Sequence, residues 1–267
     1  MHTLIIDIDI SEDCLNSEEP WMCVYKKHEE LFQNSIGKML NTDALQFFKN
    51  TKKELSEILK IVEVYKNKSG EIHNILQRVE NMCPIDNNFS VYFLPAPFDF
   101  VITQYSRNLG VFIFFGIGGD DSFMNTENLS VLLPHEYAHI VRLHTVLLPE
   151  GIDSPYQMNL ANLTILEGLG ITFSAWFNND LKKESLWKYI PFEKDKWQEY
   201  MERENEYIEL LKNRKDEKLT QDTILEFYGP ERKGYAIGSL CIFSLIEKGY
   251  SICELDKMKD NEILEKL

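Results

Sequence analysis

His135-Glu136-Tyr137-Ala138-His139 is a His-Glu-x-x-His run. On a helix, residues four apart stand one above the other, so both imidazoles can face one metal ion. Glu136 is rotated by about 100° from His135, which puts its carboxylate beside such an ion and not on it. Zn²⁺ lowers the pKa of a bound water to about 7, and a carboxylate so placed can take the proton as general base. Leu132, Leu133, Ile140, Val141 and Leu143 embed the run in an apolar helix. Two imidazoles and a carboxylate are costly to bury there without a partner. An amphipathic surface helix could carry the same run with no metal. Pro134 precedes His135, and a mid-helix proline costs about 3 kcal/mol unless the helix starts near Ser130 or kinks.

A catalytic zinc needs a third protein ligand and an open fourth position. His144 lies nine residues after His135, on the opposite face of a continuous helix. No glycine separates His139 from His144, so the three-histidine loop of metzincins does not fit. Glu150, in a Pro-Glu-Gly loop, is a lesser candidate. Glu167 follows His139 by 28 residues, in Leu166-Glu167-Gly168-Leu169-Gly170. It is the one carboxylate among Ile165, Leu166, Leu169, Ile171, Phe173, Trp176 and Phe177. Gly168 and Gly170 each weaken a helix by about 1 kcal/mol against Ala, and close approach to the zinc helix would account for them. Glu167 is therefore the expected third ligand.

These residues must be held by regular elements. Residues 3–10 alternate apolar and polar types, as a half-buried strand does. A turn-rich stretch over 11–20 leads to a helical segment around 25–40. Helical spacing runs through 43–66 and stops at Ser69-Gly70; a second amphipathic helix carries Ile72, Ile75, Leu76, Val79 and Met82. The runs 89–94 and 111–117 read as strands, the second buried on both faces. Asp120-Asp121, after Gly118-Gly119, suit a turn. Helices are expected over 130–147, 155–178, 195–213, 220–227, 232–248 and 254–266, with Ser154-Pro155 as a start signal. Strands early and helices late make an α+β fold. It is read as one domain over 1–267, with possible sub-lobes 1–125 and 126–267.

Length and charge narrow the function. The chain has 267 residues, with 28 Lys+Arg against 43 Asp+Glu, a net charge of −15. No basic run survives that field, which argues against nucleic acid or an anionic membrane as partner. The five cysteines are scattered without a Cys-x-x-Cys, so neither a disulfide framework nor a thiolate zinc knuckle is expected. The N-terminal stretch lacks the features of a signal peptide, and no segment approaches the roughly 20 apolar residues of a membrane span. A cytoplasmic protein is expected.

His-Glu-x-x-His followed by a helix bearing Glu-Gly resembles the gluzincin class of zinc peptidases. More narrowly, the chain resembles the Zn-dependent proteases of the bacterial YjaZ-like family. Three segments carry the likeness: Tyr25-Lys26-Lys27-His28-Glu29-Glu30-Leu31-Phe32, the zinc motif with Leu166-Glu167-Gly168, and Lys233-Gly234-Tyr235-Ala236-Ile237-Gly238. The resemblance implies a zincin-like catalytic domain, one Zn²⁺ on His135, His139 and Glu167, Glu136 as base, and a peptide or protein substrate. In that class a downstream Tyr or His donates to the oxyanion, a role that falls here to Tyr235. Arg232 is the alternative oxyanion or substrate-carboxylate contact, and the alternative reading of Tyr235 is packing at a helix start, where Gly234 and Gly238 allow close contact. His28 reads as a surface or capping residue. Thermolysin-like enzymes carry an Asp four residues after the glutamate ligand; Ile171 stands there, leaving the partners of His135 and His139 unassigned. The run 111–117 is either the edge that pairs with an extended peptide, as in zincin folds, or a central strand. A zinc-binding module without proteolytic activity and a metal-free helical interaction protein are the competing readings.

Overall fold

The computed structural model describes residues 1–6, 9–119, 128–189 and 194–267, with the backbone alone for residues 9–11. Asp120-Asp121, expected in a turn, and Asp7 of the expected first strand lie outside the described residues. The chain forms two compact units, Met1–Leu129 and Ser130–Leu267. The architecture is α+β, a small N-terminal sheet with helices followed by helices alone.

In the first unit β1 (His2–Ile6) leads to α1 (Asp9–Cys14), α2 (Pro20–Lys27) and α3 (Glu29–Phe32). A π-helical stretch, Gln33–Gly37, joins α3 to α4 (Lys38–Leu40). Then come α5 (Leu45–Asn50), α6 (Leu55–Asn67), α7 (Ser69–Met82), β2 (Phe89–Pro95), β3 (Phe100–Ser106) and β4 (Gly110–Ile117). The sheet order is β1-β2-β4-β3. Parallel neighbours require a crossover, and α1–α7 supply it between β1 and β2. Val91 lies opposite Leu4 on one side and Ile113 on the other. β4 is central, pairing with β2 in parallel and β3 antiparallel. That excludes the edge-strand reading of 111–117, as its unbroken burial also requires.

Several expectations are corrected here. β3 was not anticipated: its burial alternates residue by residue, but Thr103 and Gln104 in its middle break the apolar pattern that marks a strand. The strand expected over 3–10 ends at Ile6, and the chain enters α1 at Asp9. The helix expected over 43–66 is two helices, because Thr51 is extended. Ser69 opens α7, the break falling at Lys68. Cys14 and Cys23 form a disulfide, against the expectation of none. The antiparallel return of α2 on α1 brings their Cα atoms to 5.5 Å, which spacing in the sequence did not reveal. Such bonds are rare in the cytosol, so the cytoplasmic expectation gains nothing from it.

The second unit begins with α8 (Leu129–Arg142), which runs into a π-helical stretch, Leu143–Leu147. α9 (Leu160–Phe177), α10 (Lys194–Glu202), α11 (Glu204–Arg214), α12 (Gln221–Tyr228), α13 (Lys233–Glu247), α14 (Ile252–Asp256) and α15 (Asp260–Lys266) follow. Ser154-Pro155 opens only a 3₁₀ turn, Pro155–Gln157. α9 starts later because Asn159 and Asn162 cap it reciprocally: each side-chain oxygen accepts from the other's backbone N–H at 2.9 Å. The helices expected over 195–213 and 254–266 are each broken in two, at Arg203 and across 257–259.

α9 is the core of this unit. By length and composition it could cross a membrane, which corrects the expectation that no segment comes near, yet 83% of it is buried by the protein itself. It crosses α13 backbone to backbone. A Cβ on Gly168 would lie 2.2 Å from the Gly238 carbonyl carbon, and one on Gly238 would lie 2.0 Å from the Thr164 carbonyl oxygen. Gly168 therefore serves contact with α13, and not with α8 as expected. Replacement there must move a helix, since backbone atoms have no rotamer to yield. Gly238→Ala is expected to destabilise the protein by at least about 2 kcal/mol in denaturant titration. Gly70→Ala, where a Cβ meets nothing within 4 Å, should cost nothing, and equal losses in the two variants would refute the crossing.

Candidate metal centre

α8 and α9 together position three metal-type side chains. Ligand atoms of His135, His139 and Glu167 all lie within 4.8 Å of one another. Glu167 Oε2 is 3.2 Å from His135 Nε2 and 3.8 Å from His139 Nε2. Tetrahedral ligands at about 2.0–2.2 Å from an ion stand roughly 3.3–3.6 Å apart, so Glu167 already stands near that spacing from both imidazoles. The group could hold a metal ion. Two nitrogens and one carboxylate oxygen also form the donor set of sites that keep a position open.

Electrostatics suit that use. Burial first, and then the charge of His135, push the pKa of His139 down to about 3. Its imidazole is therefore neutral, with a lone pair available for a cation. Burial works against charge on His135 too, but the hydrogen bond and charge of Glu167 raise its pKa on balance. Burial opposes ionisation of Glu167, yet His135 and His139 together hold its pKa low. His139 Nδ1 is buried with no hydrogen-bond partner among the described residues, and Ile171, buried on α9, cannot supply one.

Two further features set the ligands in place. A Cβ on Gly170 would lie within 2.7–2.8 Å of three atoms of the His135 ring, so glycine there makes room for that imidazole. Pro134 lies inside α8, which starts at Leu129. A proline gives no N–H to the carbonyl four residues earlier, here that of Ser130. Asn178 Nδ2 donates to that oxygen at 2.8 Å instead, and Ser174 Oγ donates to Val131 O at 2.7 Å. The proline thus exposes a carbonyl that α9 uses to grip α8 beside the ligands.

Around this group stand the other expected residues. Glu136 is 5% exposed, and its charge bears on both His135 and Tyr235. Tyr235 lies in the first turn of α13, three residues before Gly238, and Glu167 adjoins Gly168; the glycine crossing therefore brings phenol and carboxylate together. The charge of Glu167, then burial, raise the phenol's pKa, with Arg232 opposing and Glu136 adding. Tyr235 remains a proton donor throughout the ordinary pH range. Arg232 precedes α13 in a left-handed conformation, φ 49°. His144 and Glu150 are not in the metal group; Glu150 pairs with Lys259 at 2.9 Å. His28 stands at the break between α2 and α3.

Tyr228 was not anticipated. Its hydroxyl lies 2.8 Å from Thr164 Oγ1, one turn before Glu167 on α9. Its ring meets that of Tyr235 edge-on, with centroids 5.4 Å apart. A Cβ on Gly234 would strike the Tyr228 ring at 2.5 Å. The only signal was Gly234 itself, a glycine in a helix's first turn. Comparison with protein-family models, with curated proteins and with solved structures finds no match to this chain.

Asn178→Leu removes the donor to Ser130 O without touching a ligand. Metal affinity, measured by competition with a chelating dye, is expected to fall about tenfold, as for other orienting partners. Pro134→Ala restores the backbone N–H to that carbonyl. In that background the same Asn178 change should cost less than about twofold. Equal losses in both backgrounds would show that Asn178 does not act through the proline gap.

Proposed function

We propose that this chain is a zinc-dependent peptidase of zincin-like fold, using His135, His139 and Glu167 as ligands. The observation that carries the reading is the meeting of these three side chains, from two helices, with Glu136 buried beside them on the ligand helix. The donor set fits Zn²⁺ better than the all-oxygen preferences of Mg²⁺ or Ca²⁺. The resemblance to the YjaZ-like proteases supports the same assignment through its motifs. Zinc bound there supplies a Lewis acid for the scissile carbonyl and lowers the pKa of water.

The chain's own residues do the rest. Glu136, one position after His135, is rotated off the ligand face and is free of a ligand's role, so its carboxylate can accept the proton of the attacking water. Tyr235, kept protonated by Glu167 and burial, donates a hydrogen bond that strengthens as negative charge grows on the carbonyl oxygen. Tyr228 braces the Tyr235 ring and is itself anchored on α9 through Thr164. Acceptor and donor therefore both derive their positions from the helix that carries Glu167.

A defined mixture of peptides, incubated with zinc-loaded protein and read by mass spectrometry, tests the activity. Glu136→Gln should retain zinc and lose turnover by at least about a hundredfold, whereas Glu167→Ala should lose the zinc. Cleavage by Glu136→Gln at the wild-type rate would sink the proposed base. Tyr235→Phe should lower kcat by about 10²–10³ with KM and zinc content little changed. An unchanged kcat there, with loss in Arg232→Ala, would transfer the donor role to Arg232.

A further inference from the structure

The first unit carries a second cluster of metal-type side chains that shares no residue with the first. His2, at the start of β1, directs Nδ1 to Glu80 Oε2 at 2.8 Å and Nε2 to His73 Nδ1 at 2.8 Å. His73 and Glu80 are seven residues apart on α7, two turns along one face. The His2 side chain is 4% exposed. Its ring lies between Phe89, with centroids 6.0 Å apart, and His73, at 4.5 Å. His73 is exposed on the helix surface.

Hydrogen-bond direction settles which nitrogen holds what. The Glu80 carboxylate accepts the Nδ1–H of His2, so His2 Nε2 presents its lone pair. His73 Nδ1 must then be the donor, and one proton lies between the two rings. A carboxylate behind one imidazole nitrogen is the partner that orients and sharpens metal-binding histidines. His2 is therefore already in the tautomer and orientation that a cation requires. A borderline divalent ion takes imidazole nitrogens at about 2.0–2.1 Å, which opens the pair to roughly 3.3 Å. The exposed His73 can swing by that amount while the buried His2 stays fixed.

We propose that His2 Nε2 and His73 Nδ1 bind one borderline divalent cation, of the Zn²⁺ or Cu²⁺ class, with Glu80 orienting His2. The ion takes the place of the proton shared by the two rings; by exchange with solvent that proton comes to His73 Nε2, so both imidazoles bind as neutral ligands and neither a net proton nor an electron is transferred. Water completes the coordination. The ion ties the edge strand β1 to α7 by a link that only nitrogen-loving metals can make, so Mg²⁺ and Ca²⁺ should not substitute.

Zinc titration of the full-length protein by calorimetry tests this. The wild type should take two equivalents, and His73→Ala and His139→Ala one each. Glu80→Gln should keep two, with one weakened about tenfold. Because His73 is exposed, its replacement leaves folding intact, and circular dichroism verifies that. Two equivalents in His73→Ala, or a single wild-type equivalent lost in His139→Ala, would leave His2 and His73 a hydrogen-bonded pair and overturn the proposal. A single wild-type equivalent lost in His73→Ala would support this site while refuting the one on α8 and α9.

Discussion

Glu167 is a carboxylate on a helix that is otherwise apolar and nearly all buried, and that placement is the constraint from which the second unit follows. A charge taken from water needs partners that remain when solvent is gone. Two imidazoles one turn apart on α8 meet the need on one side. Thr164 and Tyr228, and beyond them Tyr235, line the other. Removing the carboxylate would leave His135 without its nearest charge, while keeping it obliges α8 and α13 to approach α9 closely.

That close approach explains the glycines better than conformational freedom does. None of Gly168, Gly170, Gly234 and Gly238 has a positive φ. Each is small because something occupies the space of its side chain: backbone at Gly168 and Gly238, an imidazole at Gly170, a phenol ring at Gly234. Their cost in helix propensity, about 1 kcal/mol each against Ala, is offset by packing that a larger residue would prevent. The same small residues therefore serve core density and site geometry together.

This double service also governs how much could be read in advance. His135, Glu136, His139 and Glu167 were legible because helical spacing converts sequence distance into direction, and because a lone carboxylate in an apolar run is conspicuous. Tyr235 was reached only through a resemblance. Tyr228 was hidden because its role arises from a contact between α12 and α13 that no spacing encodes. In the first unit, β4 was evident from its unbroken apolar run, whereas β3, half-buried with Thr103 and Gln104 in its middle, looked like a loop. The Cys14–Cys23 bond depends on a return of the chain between two short helices, and short helices leave little periodicity to detect. What was legible was local and periodic; what was not was set by tertiary approach.

α8 is gripped on both sides of its histidines, by unlike means. Before them, Asn178 and Ser174 take the carbonyls next to Pro134. After them, three residues beyond His139, Arg142 is wholly buried. Its Nη1 donates to the carbonyls of Leu255 at 3.2 Å, Asp256 at 3.3 Å and Met258 at 2.5 Å, and its Nη2 pairs with Asp260. Asn162 on α9 holds the other Asp260 oxygen at 2.5 Å. A buried guanidinium is tolerable because the carbonyls at the end of α14 turn their negative dipole ends toward it. Among the described residues neither oxygen of the nearby buried Asp256 has a hydrogen-bond partner, and burial raises its pKa well above the usual carboxylate range although Arg142 opposes this. α8 is thereby fixed to α9 at one end and to α14 and α15 at the other, with His135 and His139 between. Side chains held in this way lose little freedom on meeting a ligand, which is how distant polar contacts can raise affinity without touching it.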